Sequence, residues 1–323
     1  MATLEVAFLH DQLEERKRRL QEAITLSPQQ TGLARLLHEV DSALDRMAKG
    51  TYGICDECHL SIEQDRLLSD PLVCYCLDHL TSSQRNALQR DLDLAAQVQR
   101  NLLPEVGLQT GVWRTAFHYS PVGPVSGDYC DLIQTDGNLF FALGDVSGKG
   151  VSASMLMAQL HALFRTLTRM ALPLGQIVSG ANRVFCESAL AGHYATLICG
   201  HAKPTGEVEI HNAGHWPAIV VGHGGVLRVE STGLPLGMFS DAEFATTRLH
   251  LDPGDMLFLY SDGLTEARSA DDEYGADRVT ALVRQQFGRS PEEVIAASLQ
   301  DLRTFSDGPL LDDLTLMSIQ RSS

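Results

Sequence analysis

The chain has 323 residues, too many for one comfortable core and suited to about two domains. Apolar residues make up 44% and charged residues 20%, so it can bury a large core and is not a disordered polymer. With 25 basic against 41 acidic residues the formal charge is −16, of which −4 falls in residues 1–90 and −12 in residues 91–323, which excludes a broad phosphate-tracking surface for nucleic acid and disfavours anionic membrane.

No apolar run reaches the roughly 18 residues of a membrane span. The opening MATLEVAFLHDQLEERKRR turns charged too early for a signal peptide, so a cytoplasmic protein is expected. Residues 4–26 read as an amphipathic helix through Val6, Leu9, Leu13, Leu20 and Ala23. Ser27 as N-cap and Pro28 at the first helical position restart the helix, whose stripe is Leu33, Leu36, Leu37, Val40, Leu44 and Met47, with Gly50 placed to end it. The expected result is a helical hairpin.

The next stretch, YGICDECHLSIEQDRLLSDPLVCYCLDHL, crowds four of the seven cysteines together. Cys55, Cys58, Cys76 and His79 give C-x2-C, 17 intervening residues and C-x2-H, two knuckles that offer one tetrahedral zinc ion a closed, structural set of ligands. Using Cys74 instead of Cys76 leaves a longer C-x4-H knuckle, so Cys74 is read as a spare thiol. GTYGICDEC, followed by Ile62, Arg66-Leu67, Pro71 and the second knuckle, resembles the TraR/DksA-type zinc finger. The departures are His79 where that family usually has cysteine, and a hairpin much shorter than the coiled coil that DksA inserts into RNA polymerase.

Residues 82–103 return to helix, with Leu88, Leu92, Ala95, Ala96, Leu102 and Leu103 on one side and Pro104 closing it. That apolar side, with small residues at its middle, is expected to form a homodimer seam. From about residue 112, short apolar runs such as Leu139–Leu143, Ala195–Cys199, Ala218–Val221 and Met256–Tyr260 alternate with Gly, Asp and Asn turns. Helical stretches fall near 151–170, 174–191 and 291–305. Blocks rather than strict alternation point to an α+β domain.

Four Asp-bearing segments punctuate it: SGDYCDLI with Asp128 and Asp131, LGDVSGKG with Asp145, LYSDGLTEA with Asp262, and LDDLTLM with Asp312 and Asp313. Carboxylates at strand ends beside glycines suit hard divalent cations, and two such ions can share an oxygen nucleophile and clamp an in-line phosphoryl displacement. Cys130, Cys186 and Cys199 read as small core residues.

In this order, with the lead-in DLDLAAQVQRNLLP and the later NAGHWPAIV, GLPLGM and GDMLFLYSDGLTEAR, the segments resemble the metal-dependent protein phosphatase family, in its bacterial RsbU/SpoIIE branch, over about residues 91–320. The resemblance implies an α-β-β-α sandwich with two manganese or magnesium ions. It implies a phosphoserine or phosphothreonine protein substrate, commonly a STAS-domain anti-sigma factor antagonist. Asp128, Asp145, Asp262 and Asp312 become the catalytic metal ligands, Asp145 bridging both ions and Val146 adding its carbonyl. Asp131 and Asp313 have two readings each, direct ligand or supporting turn and strand residue.

Eukaryotic members carry a His two residues after the bridging Asp to protonate the leaving group; here that place is Ser147, with Lys149 nearby. His215 has two readings, that proton donor or a structural His closing a turn. The expected organisation is a hairpin and zinc finger over 1–81, a switch helix over 82–104 and a serine/threonine phosphatase over 105–323, controlled through the finger. The alternative is a polymerase-binding regulator with an accessory phosphatase domain.

Overall fold

The computed structural model describes residues 3–26, 31–79, 82–105, 107–135, 137–170, 172–189, 192–269, 272–306 and 308–322. The expected cap at Ser27 and Pro28 lies outside them. The chain divides into two units, Met1–Asp91 and Leu92–Ser323.

In the first unit α1 (Thr3–Leu26) and α2 (Thr31–Ala48) pair through their apolar stripes. Leu9, Leu13 and Leu20 meet Val40 and Ala43, and Lys17 reaches Asp41 at 2.8 Å. Gly50 takes φ +70° and its N–H bonds to the Met47 carbonyl, so the residue that ends the stripe also turns the chain. The same core continues into Tyr52, Cys55, Ile62, Leu67 and Cys76 around the short helix α3 (Gln64–Ser69). α4 (Ser82–Arg100) spans the boundary between the units. It ends three residues before the sequence reading placed it, and residues 101–103 form a turn ahead of Pro104.

The second unit is two antiparallel sheets with helices outside each. One sheet has the order β3 (Asp128–Thr135), β4 (Asn138–Val146), β5 (Ala195–Ala202), β6 (Glu207–Ala213) and β9 (Thr247–His250). The other has the order β1 (Gln109–Thr110), β2 (Trp113–Ser120), β13 (Leu314–Arg321), β10 (Met256–Tyr260), β7 (Ala218–Gly222) and β8 (Gly225–Val229). A small hairpin, β11 (Arg268–Ser269) with β12 (Asp272–Glu273), stands apart.

The alternation of side chains along each strand decides the layers. On β3 and β4, Cys130, Leu132, Leu139, Phe141 and Leu143 point between the sheets, where they meet Leu257, Leu259, Met317 and Ile319. The intervening Tyr129, Ile133, Phe140 and Ala142 point outward onto α5 (Val151–Leu167) and α6 (Leu174–Ser188). On the far side, α8 (Gly275–Gln285) and α9 (Pro291–Phe305) cover Phe258, Tyr260 and Leu316. α9 starts with a capping box between Ser290 and Glu293 and Pro291 in its first turn. The α-β-β-α layering expected from the resemblance is present. α8, whose buried stripe is Val279, Leu282 and Val283, was not among the helices read from sequence. No helix among the described residues is long and apolar enough to cross a membrane.

Candidate metal centres

The period-2 parity that builds the core also sorts the aspartates. Asp128 opens β3 and Asp145 nearly closes β4, and the two are direct cross-strand partners with side chains in the inter-sheet layer. Asp128 is buried, and its Oδ2 accepts from Thr315 Oγ1 on the opposite sheet at 2.5 Å. Its Oδ1 is buried with no hydrogen-bond partner among the described residues. Asp262 begins the four-residue helix α7 (Asp262–Thr265) straight after β10, and Asp312 lies just before β13. Asp145 and Asp262 line one cleft of about 290 Å³ with Thr196, Gly214, His215, Trp216 and Pro217.

Electrostatics bind the group together. Burial, then the Asp145 charge, hold the Asp128 carboxyl well above the ordinary carboxylate range. Burial, then repulsion by Asp262, Asp312 and Asp313, raise Asp145 to about 7. Burial, then Asp312 and Glu266, raise Asp262 to about 6. Lys149 gives partial relief: its Nζ lies 2.8 Å from Asp312 Oδ2 and donates to the Leu311 carbonyl at 3.0 Å.

The residues fit divalent cations on three counts. The donors are hard oxygens, one buried carboxylate oxygen lacks a partner, and the carboxylates repel one another. Gly127 supplies the close approach, since a Cβ there would stand 2.9 Å from the Val146 carbonyl oxygen and 3.2 Å from Asp145 Oδ1. Gly263 does the same opposite, where a Cβ would collide with the backbone of Asp312 and Asp313. Because protons compete with cations for Asp145 and Asp262, manganese affinity is expected to weaken as pH falls through 7 and then 6. A manganese titration giving the same Kd at pH 8 and pH 6 would contradict this.

Asp131 and Asp313, each read from sequence as a direct ligand or a supporting residue, are engaged by other groups. Asp131 lies an odd number of residues from Asp128, so its side chain leaves the inter-sheet layer for α5. There, fully buried, it takes a bidentate pair from Arg165 at 2.9 and 2.7 Å, with His161 Nε2 at 3.8 Å. Asp313 is a backbone acceptor: Oδ1 takes the Val122 N–H at 2.7 Å and Oδ2 the Gly127 N–H at 3.2 Å. It thereby pins the loop that leads into Asp128. His215 is a strut between the sheets. Its Nε2 faces the Tyr260 carbonyl at 3.1 Å, which can only accept, so that nitrogen carries the proton and Nδ1 accepts from Thr196 Oγ1 at 2.8 Å. Burial lowers it to about 4, which keeps the ring neutral.

Sequence reading missed Gln99. From α4 its Nε2 donates to the Ser126 carbonyl at 2.7 Å and its Oε1 accepts the Ser126 N–H at 2.9 Å, while Ser126 Oγ accepts the Asp128 N–H at 3.0 Å. A polar residue in an apolar stripe was the available signal. Gln99→Ala leaves both Ser126 backbone groups buried without partners, so the second unit should lose about 1–3 kcal/mol. Urea unfolding followed by tryptophan fluorescence measures this, because Trp113 is fully buried in that unit's core.

The second candidate centre lies in the first unit. The ligand atoms of Cys55, Cys58, Cys76 and His79 all fall within 4.8 Å of one another. Cys76 Sγ is 3.7 Å from Cys58 Sγ and 3.1 Å from His79 Nδ1. Burial pushes the Cys55 thiol up, but the backbone N–H groups of Cys58, Cys76 and Glu57 outweigh it and bring it down to about 6. His59 turns the first knuckle with φ +58°. Cys74 points elsewhere, its thiol against the Leu72 carbonyl at 3.6 Å. The four groups suit one tetrahedral zinc. Among the described residues no three of the aspartates converge so tightly.

The chain is similar to known proteins over most of its length. It is 28% identical over 264 residues to Protein IcfG of Synechocystis sp., covering 72% of this chain but 42% of that protein, so it spans about two fifths of that relative's length. It is 25% identical over 237 residues to the phosphoserine phosphatase RsbU of Bacillus subtilis, covering 72% of this chain and 71% of that protein. The SiaA-PP2C domain of Pseudomonas aeruginosa superposes with a TM-score of 0.65 at 17% identity, over 74% of this chain and 99% of that domain, which shows the fold. Residues 135–322, more than half of the chain, match the family model described as stage II sporulation protein E (SpoIIE). The chain therefore belongs to the SpoIIE family, and its second unit has the PP2C phosphatase fold.

Proposed function

We propose that this chain is a metal-dependent protein phosphatase that hydrolyses phosphoserine or phosphothreonine on a regulatory protein, a STAS-domain anti-sigma factor antagonist being the favoured class. The observation that carries this reading is the Asp128–Asp145 pair, with an unpartnered buried oxygen, beside the cleft that Asp145 shares with Asp262. Similarity to a phosphoserine phosphatase supports the reaction class.

Asp128, Asp145, Asp262 and Asp312, with the Val146 carbonyl, would hold two manganese or magnesium ions. Such ions supply Lewis acidity that favours deprotonation of an attacking water and neutralises charge on the phosphoryl oxygens. The chain's own residues do the rest. Asp313, Ser126 and Gln99 fix the loop before Asp128, and Thr315 orients its carboxylate. His215 holds the two sheets at a set separation and is not available as an acid, since both ring nitrogens are engaged. Purified protein should release phosphate from p-nitrophenyl phosphate and from a serine-phosphorylated STAS-domain protein only with manganese or magnesium. Equal turnover in excess chelator would overturn the reading.

The first unit is proposed to regulate this activity as a zinc-stabilised module of TraR/DksA type. A homodimer through residues 82–103 is also proposed, but not at the small-residue seam first expected. Ala96 and Gln99 are buried within the chain, whereas Leu88, Leu94 and Val98 are exposed on α4. Leu94→Glu should convert a sedimenting dimer to monomer; a wild-type monomer at micromolar concentration would dispose of the seam.

A further inference from the structure

Large apolar side chains stand exposed on two segments joined to residues of the cleft and its carboxylates. On one bank Val151 and Met155, one turn apart on α5, are 50% and 68% exposed, and Leu311 is 58% exposed. These belong to the rim of the centre: Lys149, two residues before Val151, binds both Asp312 and the Leu311 carbonyl. On the other bank Leu234, Met238 and Phe239 are exposed, Phe239 by 57%. They flank a segment stitched to the cleft wall, where Leu236 and Ala195 exchange backbone hydrogen bonds and Pro235 packs on Gly214.

Soluble chains seldom leave so many large apolar groups around one opening without using them. None of these apolar side chains lines the cleft itself. The surrounding charge narrows the occupant further. Residues 91–323 carry a net −12, so general charge attraction does not recruit an acidic phosphoprotein, and the exposed apolar groups are the contact that can hold one. Resting on the phosphatase reading above, we propose that these two apolar banks are the docking surface for a folded phosphoprotein whose phosphoserine or phosphothreonine is ringed by apolar surface. The phosphoryl group enters the cleft while the surface around it seats on both banks. Substrate choice is thereby made outside the metal centre.

The test compares Met155→Glu and Phe239→Glu with wild type at saturating manganese, using p-nitrophenyl phosphate and a serine-phosphorylated STAS-domain protein. Each substitution places an exposed charge and should leave the core intact. The expected result is a fall of about tenfold or more in kcat/KM for the protein, carried by KM, with p-nitrophenyl phosphate turnover within about twofold of wild type. Unchanged protein turnover, or an equal fall with both substrates, would overturn the proposal. So would loss of self-association in either variant with unchanged KM, which would make a second copy of the chain the occupant. Failure of wild type with both substrates would strike the phosphatase reading itself; turnover of p-nitrophenyl phosphate alone would strike the protein occupant.

Discussion

Asp145→Asn should reduce manganese-dependent phosphate release on the order of 10³-fold or more while leaving the protein folded. The substitution keeps the shape of the side chain and removes the charge that sits between Asp128 and the Asp262–Asp312 side of the cleft. Each cation site would then lose a shared anionic ligand, and transition-state charge would go unbalanced at both. Loss of fold is separable by its opposite pH signature. In the metal-free protein burial and neighbouring carboxylates raise Asp145 to about 7 from an ordinary 3.8, so the folded state holds a proton that the unfolded chain has released. Stability is therefore lost progressively as pH rises from 3.8, where the unfolded carboxyl ionises, to about 7, above which the cost is constant. With chelator present, Asp145→Asn should melt higher than wild type at pH 8, by less at pH 5, and the difference should vanish only below pH 3.8, where the unfolded carboxyl is protonated too. Comparing variant with wild type cancels the contribution of the buried histidines, which runs the other way. Near-normal activity at saturating manganese would remove Asp145 from the metal site.

Cys55→Ser should abolish zinc binding and unfold the first unit, whereas Cys74→Ser should leave one zinc per chain. Structural zinc in small modules supplies about 10–16 kcal/mol of apparent binding energy, more than a core of this size can replace. That core is a few leucines of the hairpin with Tyr52, Ile62 and Leu67, and two of its members, Cys55 and Cys76, are themselves candidate ligands. Loss of the ion therefore removes packing as well as coordination. Zinc content by elemental analysis, with helicity of the isolated 1–91 segment and of the full chain, measures both effects. An equal zinc loss in Cys74→Ser would show that the second knuckle was chosen wrongly. The second unit should keep its own melting transition in either variant, because its three core clusters are built entirely from its own residues.

Local pattern made much of this protein legible. Stripe spacing located the hairpin helices because one face of each is buried, and Gly50 marked an end because a left-handed turn is cheap only for glycine. The knuckles were readable because zinc ligands come in close pairs along the chain, so the grouping of Cys55, Cys58, Cys76 and His79 is nearly a local property. The aspartate segments could be found, but not sorted. Asp128 and Asp131 look alike in sequence and differ only by strand parity, which sets one beside Asp145 between the sheets and sends the other to Arg165. Asp312 and Asp313 are neighbours, yet one meets Lys149 while the other spends both oxygens on the amides of Val122 and Gly127. Those partners lie 191 and 186 residues away in the chain, and no periodicity reports such pairings. The same holds for Gln99 and for His215, whose tasks are set by backbone groups of distant strands and loops. Sequence alone determined which residue types were present to hold metal and where most of the helices lie, though not α8; the packing of two sheets decided which carboxylates face one another, because only there do burial and like-charge repulsion act on the same groups.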